Sequence, residues 1–450
     1  MRFFLFLLAN AMLFIRPSEL IPDLATVEIY RWIILACLGV SLPTVLQQMS
    51  VRSPGVPPIA ACVYLLWPAV FLSGFFHGNT ELIQETVVEF AKILIYFLLL
   101  ISLITDTDKL RQFLRWITLF CAGVTLIAVL RYHADVAMPT ARPKVALGQK
   151  DINHGTYVVD QVRDPHTGAM VNVNRMCGTG IFNDPNDFAL ILVTAIPLCL
   201  YWLTDPTSKA MRPFWFVLLV FFGYALMLTH SRGGFLALMT GLGALVHLKF
   251  GGKKTVLLGL ICLPLVLIVF AGRMTSISTD EGTGQTRIQL WSDGLMYFQQ
   301  SPIFGIGMDN YRQFSSHVAH NSFIHSFTEL GLIGGTLFLG AFYYSVRGLF
   351  QLRKPPPESD EVDPELRRLH PFMMGMTIAY TIGICFLSRG YIVPTYMILG
   401  LAVVYLRLHA TQTTIALPAW TFLAWSRLVG VSGGFLIASY TFVRMFVNWR

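Results

Sequence analysis

Residues 213–249 read PFWFVLLVFFGYALMLTHSRGGFLALMTGLGALVHLK. This stretch holds two apolar runs, 213–230 and 233–249, with a polar turn and almost no loop between them. A helix that crosses the hydrocarbon core of a bilayer needs about 20 mostly apolar residues. The stretch therefore predicts two consecutive membrane-spanning helices.

The composition extends this prediction to the whole chain. Of its 450 residues, 54% are hydrophobic and only 13% are charged, and the mean hydropathy is +0.60. Soluble domains carry about 25% charged residues, and disordered chains are poor in apolar residues, so both classes are excluded. The strands of a membrane barrel are short and alternate in polarity, which this sequence does not show. We predict an all-α, polytopic membrane protein.

Twelve apolar windows are candidate spans. They fall at 2–15, 28–48, 58–76, 86–104, 112–131, 186–204, 213–230, 233–249, 255–272, 322–347, 371–388 and 391–408. The first is interpreted as a retained helix and not as a cleaved signal peptide. The remainder, 414–450, is apolar but contains Arg427 and Arg444, so an interfacial helix and a further span both stay open.

These windows divide the chain into six segments with different predicted roles. Five spans occupy 1–131, four occupy 186–272 and three occupy 322–408. Two long loops, 132–185 and 273–321, and a C-terminal segment, 409–450, make up the rest. Long loops without obvious secondary structure are usually functional, and the second is the predicted catalytic loop.

The basic residues predict an orientation. The short loops at 49–57, 105–111, 205–212, 249–254 and 348–370 carry Lys and Arg, which accumulate on the cytoplasmic side. With the N-terminus inside, both long loops and the acidic turn of Glu81, Glu85 and Glu89 face the other way. The net charge of +8 reflects this bias, and no compact basic domain indicates nucleic-acid binding. Seven cysteines without a CxxC pair predict neither a disulfide framework nor a zinc site.

Two turns on the predicted outer face have the form Ser-Arg-Gly. One carries Arg232 within THSRGG, and the other carries Arg389. A snorkelling side chain at a helix end is the plain alternative for each. Because guanidinium groups bind phosphate in a bidentate manner, two such turns favour an anion site.

The outer loop before the tenth span predicts a short amphipathic helix. The apolar side chains of GQTRIQLWSDGL and the following residues can form one face, with Arg287 in the first turn. The predicted helix ends at Ser301-Pro302. An Arg at a helix start opposes the helix dipole, and a bound anion would offset that cost.

His320 and Asn321 stand where the chain enters the tenth span. Asn321 or Ser322 is a plausible N-cap, and His320 is a candidate general base near neutral pH. Glu329 lies about two turns further in, where a carboxylate is expected to have a buried partner. The spacing of the nearby histidines matches no standard ligand motif, so no metal is predicted.

A polar turn, IFNDPNDFAL at residues 181–190, precedes the sixth span. Asp184 or Asn186 can cap the helix that follows, and substrate contact is the alternative role for both residues. No nucleophile elbow, phosphate loop or dinucleotide fingerprint occurs in the sequence, and no cofactor is predicted. Several Arg and one His suit group transfer from a phosphate leaving group, with a lipid-linked donor natural in a membrane.

Five motifs together resemble the O-antigen ligase superfamily, which also contains O-antigen polymerases and bacterial protein O-oligosaccharyltransferases. They are IFNDPNDFAL, THSRGG, GQTRIQLWSDGL, SPIFGIGMDNY and AHNSFIHSFTELGLIGG, in this order within residues 180–345. The resemblance implies about twelve helices related to membrane-embedded glycosyltransferases. It also implies an undecaprenyl-pyrophosphate-linked glycan as donor and metal-independent, inverting transfer on the periplasmic face of the bacterial inner membrane.

The resemblance also implies roles for individual residues. His320 corresponds to the catalytic histidine, and Arg287 and Arg232 correspond to residues that hold the donor pyrophosphate. Asn321 would help to place the loop or the acceptor. The resemblance assigns no role to Arg389, so its role rests on the sequence pattern alone.

Several functions remain open within and outside the superfamily. A ligase transfers the glycan to a sugar of lipid A-core. A polymerase transfers it to another glycan, and a protein transferase transfers it to a Ser or Thr hydroxyl. The long outer loop and the His-Asn pair favour a ligase. A lipid-linked glycan flippase is the alternative from another class of protein. Transporters place their binding groups near the bilayer midplane, whereas the candidate residues here are predicted to lie at the outer rim.

Overall fold

The structure is a computed structural model. It describes residues 1–24, 27–49, 58–77, 80–137, 157–163, 169–257, 259–260, 283–315, 317–353, 362–412 and 420–447. The helices are α1 (Arg2–Ile15), α2 (Pro17–Leu20), α3 (Ile29–Met49), α4 (Pro58–Phe75), α5 (Thr80–Leu103), α6 (Thr107–Ala137), α7 (Pro185–Leu203), α8 (Arg212–Thr229), α9 (Arg232–Phe250), α10 (Thr283–Gln300), α11 (Tyr311–Phe314), α12 (Ser322–Gln351), α13 (Pro364–Gly383), α14 (Val393–Ala410) and α15 (Phe422–Phe446). Two strands, β1 (Tyr157–Arg163) and β2 (Met170–Met176), lie between α6 and α7.

Eleven helices among the described residues are long and apolar enough to cross a membrane. Ten of them coincide with spans predicted from the sequence, and the eleventh is Phe422–Phe446. This last helix favours a further span within 414–450 over an interfacial segment. The all-α, polytopic membrane class is therefore confirmed.

Two predicted spans are not among these eleven. Helix α1 has 14 residues, which at about 1.5 Å per residue does not cross a hydrocarbon core of about 30 Å. It ends because Arg16 adopts the left-handed conformation, with φ 46°, and Pro17 follows. The predicted span 255–272 lies largely outside the described residues.

The first long loop contains secondary structure that the sequence did not predict. Strands β1 and β2 form an antiparallel hairpin that pairs Tyr157 with Met176 and Arg163 with Met170. The expectation of a long loop without secondary structure is therefore wrong for this segment. The hairpin was missed because both of its faces mix apolar and polar residues, so neither strand shows along its whole length the alternation that predicts a half-buried strand.

Contacts divide the chain into two compact units. The first comprises Met1–Val40, Asp108–Ile277 and Pro371–Gly383. Helix α7 is buried along most of its length in this unit and packs against α8 and α9. Helix α9 approaches α13 so closely that a Cβ atom on Gly241 would lie 2.6 Å from the Gly375 carbonyl oxygen. At one end of the unit, Arg111 forms a 2.7 Å ion pair with Asp205.

The second unit comprises Ser41–Thr107, Ser278–His370 and Ile384–Arg450. Its core is formed by α12 against α4 and by α14 against α5. The rings of Phe90 and Tyr396 meet edge to face at 5.5 Å between α5 and α14. Helix α15 is fixed to α12 by the Tyr344 hydroxyl, which donates to the Ala424 carbonyl at 2.6 Å. Lys92 forms an ion pair with Glu89, three residues earlier on α5.

Helix α12 is broken at Gly331, where φ is 64° and ψ is −161°. The backbone of Pro302–Gly307 pairs with the broken turn. Ile306 and Gly307 donate to the carbonyls of Thr328 and Glu329 at 3.0 Å each, and Leu332 donates to the Pro302 carbonyl at 2.7 Å. The break thus fixes the outer loop to the membrane helix that begins after His320.

Replacing Gly331 with alanine is expected to destabilise the protein by about 3 kcal/mol or more. The added Cβ would lie 2.3 Å from the Ile303 carbonyl oxygen, and alanine does not tolerate the positive φ. Thermal unfolding of the purified protein in detergent measures the loss. Gly430→Ala on α15 is the control, because nothing lies within 4 Å of its Cβ and helix propensity should make it neutral or stabilising. Equal melting temperatures for the two variants would contradict this account.

Candidate functional site

His320 is the last residue before α12, and its backbone is left-handed with φ 49°. The side chain is half-buried. Asn321 is the N-cap of α12, and its side chain accepts the backbone N–H groups of Phe323 and Ile324 at 3.0 and 3.2 Å. The predicted cap is therefore confirmed, and the side-chain oxygen of Asn321 is engaged by the helix. These features fix the position of His320 at the start of a buried helix.

Helix α10 is tied directly to the His320 loop. The Trp291 indole donates to the carbonyl of Ala319, the residue before His320, at 2.7 Å. The apolar face of α10, which was predicted from the sequence, packs on Val443 and Val447 at the end of α15. Arg287 lies four residues before Trp291, so both project from the same face of the helix. The elements that carry Arg287 and His320 are thus joined.

One expectation for Arg287 is wrong in detail. Helix α10 begins at Thr283, so Arg287 is its fifth residue and lies in the second turn. The unfavourable interaction with the helix dipole fades beyond the first turn. The dipole therefore gives no argument for an anion at Arg287, and the case rests on its place beside the His320 loop.

The loop that carries Arg389 is attached to the start of α12 by Ser322. The Ser322 hydroxyl accepts the Arg389 backbone N–H at 2.8 Å and donates to the Leu387 carbonyl at 2.6 Å. The Thr395 hydroxyl donates to the Arg389 carbonyl at 2.6 Å. Both backbone polar groups of Arg389 are therefore held, and its loop lies next to the residue pair His320-Asn321. The structure thus brings together, within the second unit, the elements that carry His320, Arg287 and Arg389.

Glu329 is fully buried in α12 and has the buried partner that was expected. Its Oε1 lies 3.0 Å from Nε2 of His325, one turn earlier, and accepts the backbone N–H of Tyr311 at 3.1 Å. Tyr391 also lies against this carboxylate, and burial together with the Glu329 charge raises the pKa of its hydroxyl. Glu329 thus links α12 to the segments before His320 and after Arg389. The i, i+4 spacing of His325 and Glu329 was the available sequence signal.

Asp309 is expected to make stability depend on pH. Partial burial, the charge of Glu329 and that of Glu85 raise the pKa of its carboxyl group, although the residue as a whole remains exposed. A carboxyl group whose pKa is raised in the folded state stabilises the protein at pH values below its ordinary pKa of about 3.9. This contribution is lost as the pH rises through the pKa of the folded state.

Asp309→Asn should therefore raise the melting temperature at pH 7, and the difference from the parent protein should vanish towards pH 4. Asparagine also tolerates the φ of 64° at this position. Melting curves across this pH range test the prediction. A difference in melting temperature that does not change with pH would contradict it.

Arg232 lies in the first unit, at the first position of α9. Helix α8 ends with His230 in the left-handed conformation, and Ser231 caps α9 by accepting the Gly234 N–H at 3.1 Å. The Ser231 hydroxyl donates to Oδ1 of Asn186 at 2.8 Å. The turn between α8 and α9 is therefore attached to the start of α7.

Asp184 and Asn186 have structural partners in this unit. Asp184 caps α7 by accepting the backbone N–H of Asn186 at 2.8 Å. Of the two predicted cap residues, Asp184 and Asn186, the structure therefore selects Asp184. The Asn186 side chain also donates to Asp184 at 3.2 Å. Its Oδ1 accepts both from Ser231 and from Arg175. These bonds favour the structural role over substrate contact for both residues.

Arg175 on β2 is a residue that the sequence analysis missed. Its guanidinium donates to Asn186 Oδ1 at 2.9 Å and to the Thr229 carbonyl at 3.1 Å, and its side chain is 12% exposed. It therefore fixes the hairpin to the turn that carries Arg232. No local pattern marks it, because its partners lie 11 and 54 residues away in sequence.

Arg175→Gln is expected to cost about 1.5–3 kcal/mol, because the guanidinium loses its charge-assisted hydrogen bonds to Thr229, Asn186 and Asp160 at a mostly buried site. Limited proteolysis should then cut the hairpin faster, and the melting temperature should fall. Arg131→Gln, at an exposed position on α6, is the matched control and should change neither. Unchanged proteolysis of the Arg175 variant would show that the hairpin is held by other contacts.

The eleven candidate spans and the polar loops at their ends define a multi-pass helical membrane protein. Residues 217–339, about a quarter of the chain, match the family model described as O-Antigen ligase. No curated protein sequence matches the chain. The matched segment contains Arg232, Arg287, His320 and Glu329, while Asp184, Asn186 and Arg389 lie outside it.

The match at residues 217–339 supports the O-antigen ligase and polymerase superfamily. Members of this family are glycosyltransferase-like enzymes, and the match supports a function of this general type.

Proposed function

We propose that the protein transfers a glycan from undecaprenyl pyrophosphate to an acceptor hydroxyl, with lipid A-core or a similar glycolipid as acceptor. The observation that carries this proposal is that the elements of three predicted site residues meet in the second unit. A histidine at the start of α12 is joined through Trp291 to the helix of Arg287, and through Ser322 to the loop of Arg389. Such a set combines one base with two phosphate-binding cations.

In the proposed reaction, His320 accepts the proton of the acceptor hydroxyl as its oxygen attacks the anomeric carbon of the donor sugar. The bond between that carbon and the pyrophosphate oxygen breaks, and the electron pair leaves on the pyrophosphate. Arg287 and Arg389, both in the second unit, stabilise the developing negative charge. A donor-binding role for Arg232, in the first unit, stays a prediction from the sequence. Attack opposite the leaving group inverts the anomeric configuration, and no metal ion takes part. Asn321 and Glu329 support His320 and Arg389 through the backbone contacts described above.

The same chemistry serves an O-antigen or exopolysaccharide polymerase and a protein O-oligosaccharyltransferase, which differ only in the acceptor. We place the protein in the bacterial inner membrane, as a multi-pass protein whose active site faces the periplasm. Its partners are then the lipid-linked donor, the acceptor and the membrane lipids, with no nucleic acid and no cofactor.

A flippase is the second candidate, favoured by the break in α12 at Gly331, since transporters bind substrates at broken helices. In this chain, however, the segment Pro302–Gly307 hydrogen-bonds with the backbone on both sides of the break. These backbone groups serve the fold and are not presented to a ligand. This internal pairing supports the transferase over the flippase.

Reconstitution in liposomes tests the proposal. The protein is mixed with an undecaprenyl-pyrophosphate glycan and candidate acceptors in the presence of EDTA, and products are followed on gels. Transfer to lipid A-core is the expected result, whereas growth of the donor glycan would identify a polymerase. Transfer that requires added metal would overturn the proposed mechanism. Movement of the lipid across the bilayer without transfer would favour the flippase.

A further inference from the structure

His133 on α6 and Tyr224 on α8 form a flat aromatic pair in the first unit. Nε2 of His133 lies 2.7 Å from the Tyr224 hydroxyl, and the two ring planes are within 10° of parallel with centroids 6.1 Å apart. The rings are thus joined edge to edge by a hydrogen bond. His133 is exposed, and 41% of Tyr224 is exposed.

Two further tyrosines support this pair, and we call the four residues the aromatic platform. Tyr132 meets His133 edge to face at 5.4 Å, and Tyr157 on β1 meets Tyr132 in the same way at 6.2 Å. The Tyr132 hydroxyl donates to the carbonyl of Asn174 on β2 at 3.2 Å. The hairpin therefore holds the platform in place.

The platform lies near the ends of two candidate spans. His133 is four residues before the end of α6, and Tyr224 is five residues before the end of α8. At about 1.5 Å per residue, both are within about 8 Å of their helix ends, which is the depth of the interfacial region. Leu130 and Val220, about one helical turn before His133 and Tyr224, are also exposed and add apolar side chains to the same surface.

One strand connects the platform with the turn that carries Arg232. The Asn174 carbonyl holds Tyr132, and the next residue, Arg175, bonds to the Thr229 carbonyl and to Asn186. The platform and the turn of Arg232 are therefore attached to the same strand, within the first unit.

We propose that the aromatic platform binds a pyranose ring of the lipid-linked donor glycan. This inference rests on the proposed function and names a contact of its donor glycan within the first unit. The C–H groups on one face of a pyranose carry slight positive charge and pack on the negative faces of aromatic rings. Because the hydrogen bond between His133 and Tyr224 joins the edges of the two rings, it does not cover the exposed ring faces that such stacking needs. The apolar surface beside the platform matches a substrate that is anchored in the membrane.

The test compares two ligands, undecaprenyl-pyrophosphate glycan and undecaprenyl pyrophosphate without sugar, in equilibrium binding to the full-length protein in nanodiscs. The parent protein should bind the glycan-bearing lipid about tenfold more tightly. Tyr224→Ala and His133→Ala should abolish this preference and leave the affinity for the bare lipid unchanged. Tyr224→Phe, which keeps the ring, should retain most of the preference. Phe216→Ala, an exposed aromatic on the same helix, is the control and should retain all of it.

The outcomes separate the platform from the proposed function. A parent protein without any preference for the glycan-bearing lipid would overturn the platform, whether or not it transfers glycan. A preference that Tyr224→Ala leaves intact would also overturn it, as would a Tyr224→Ala variant that raises only the KM for the acceptor. A preference that depends on Tyr224 in a protein without transfer would support the platform and contradict the proposed transfer.

Discussion

Replacing His320 with asparagine is expected to lower the rate of glycan transfer by about 10²–10⁴-fold, because the proposed general base is lost. Asparagine is the informative substitution, since it tolerates the left-handed backbone that His320 adopts at φ 49°. An alanine variant would add backbone strain to the loss of the imidazole. Initial rates of transfer from a saturating lipid-linked donor measure the effect.

Two controls accompany the His320 variant. Its melting temperature should stay within a few degrees of the parent protein, because Asn321 still caps α12. His317→Asn, at an exposed position of the same loop, should retain activity. If the His320 variant transfers glycan at a near-normal rate, the base is another group, and the proposed mechanism fails.

Arg287→Lys is expected to be nearly as damaging as Arg287→Ala, with each variant losing about 10²-fold or more in kcat/KM. The ammonium group of lysine keeps the charge but cannot form the paired, planar hydrogen bonds that a guanidinium makes with phosphate oxygens. The loss should appear with donors of any glycan length, since the contact is to the pyrophosphate. Steady-state kinetics of transfer with the two variants measure it.

Arg312→Lys is the matched control, because Arg312 is an exposed arginine on α11 with no proposed contact to the donor. It should leave kcat/KM unchanged. If Arg287→Lys restores most of the activity that Arg287→Ala loses, charge alone is sufficient at this position. The bidentate contact would then be wrong, although an electrostatic role for Arg287 would stand.

Much of the fold could be predicted from the sequence because its determinants are local. Runs of about 20 apolar residues identify spans regardless of what they pack against. Helix starts were equally readable, since Asp184 and Asn321 cap the helices that follow them, as short polar side chains before apolar runs do. The 3.6-residue periodicity of its apolar residues predicted the amphipathic helix α10. The prediction put Arg287 in the first turn, whereas the helix begins at Thr283 and Arg287 lies in the second turn.

The site was only partly predictable for the opposite reason. The sequence supplied His320, Arg287 and Arg389 as candidates, but the bonds that join the elements that carry them run through Trp291 and Ser322, which bear no distinctive pattern. Arg175 could not be identified from the sequence, because it donates a hydrogen bond to the carbonyl of Thr229, 54 residues away. The hairpin itself was missed because a short, partly exposed strand pair leaves little trace in hydropathy.

The sequence by itself determined that this chain is a helical membrane protein, where most of its helices begin, and which basic and titratable side chains stand at their ends. The tertiary structure alone decided that α12 breaks at Gly331 to receive Pro302–Gly307, and that the elements that carry His320, Arg287 and Arg389 meet. The physical reason is the range of the interactions. Burial of an apolar span and capping of a helix depend on neighbouring residues, whereas a hydrogen bond between loops depends on how distant segments pack.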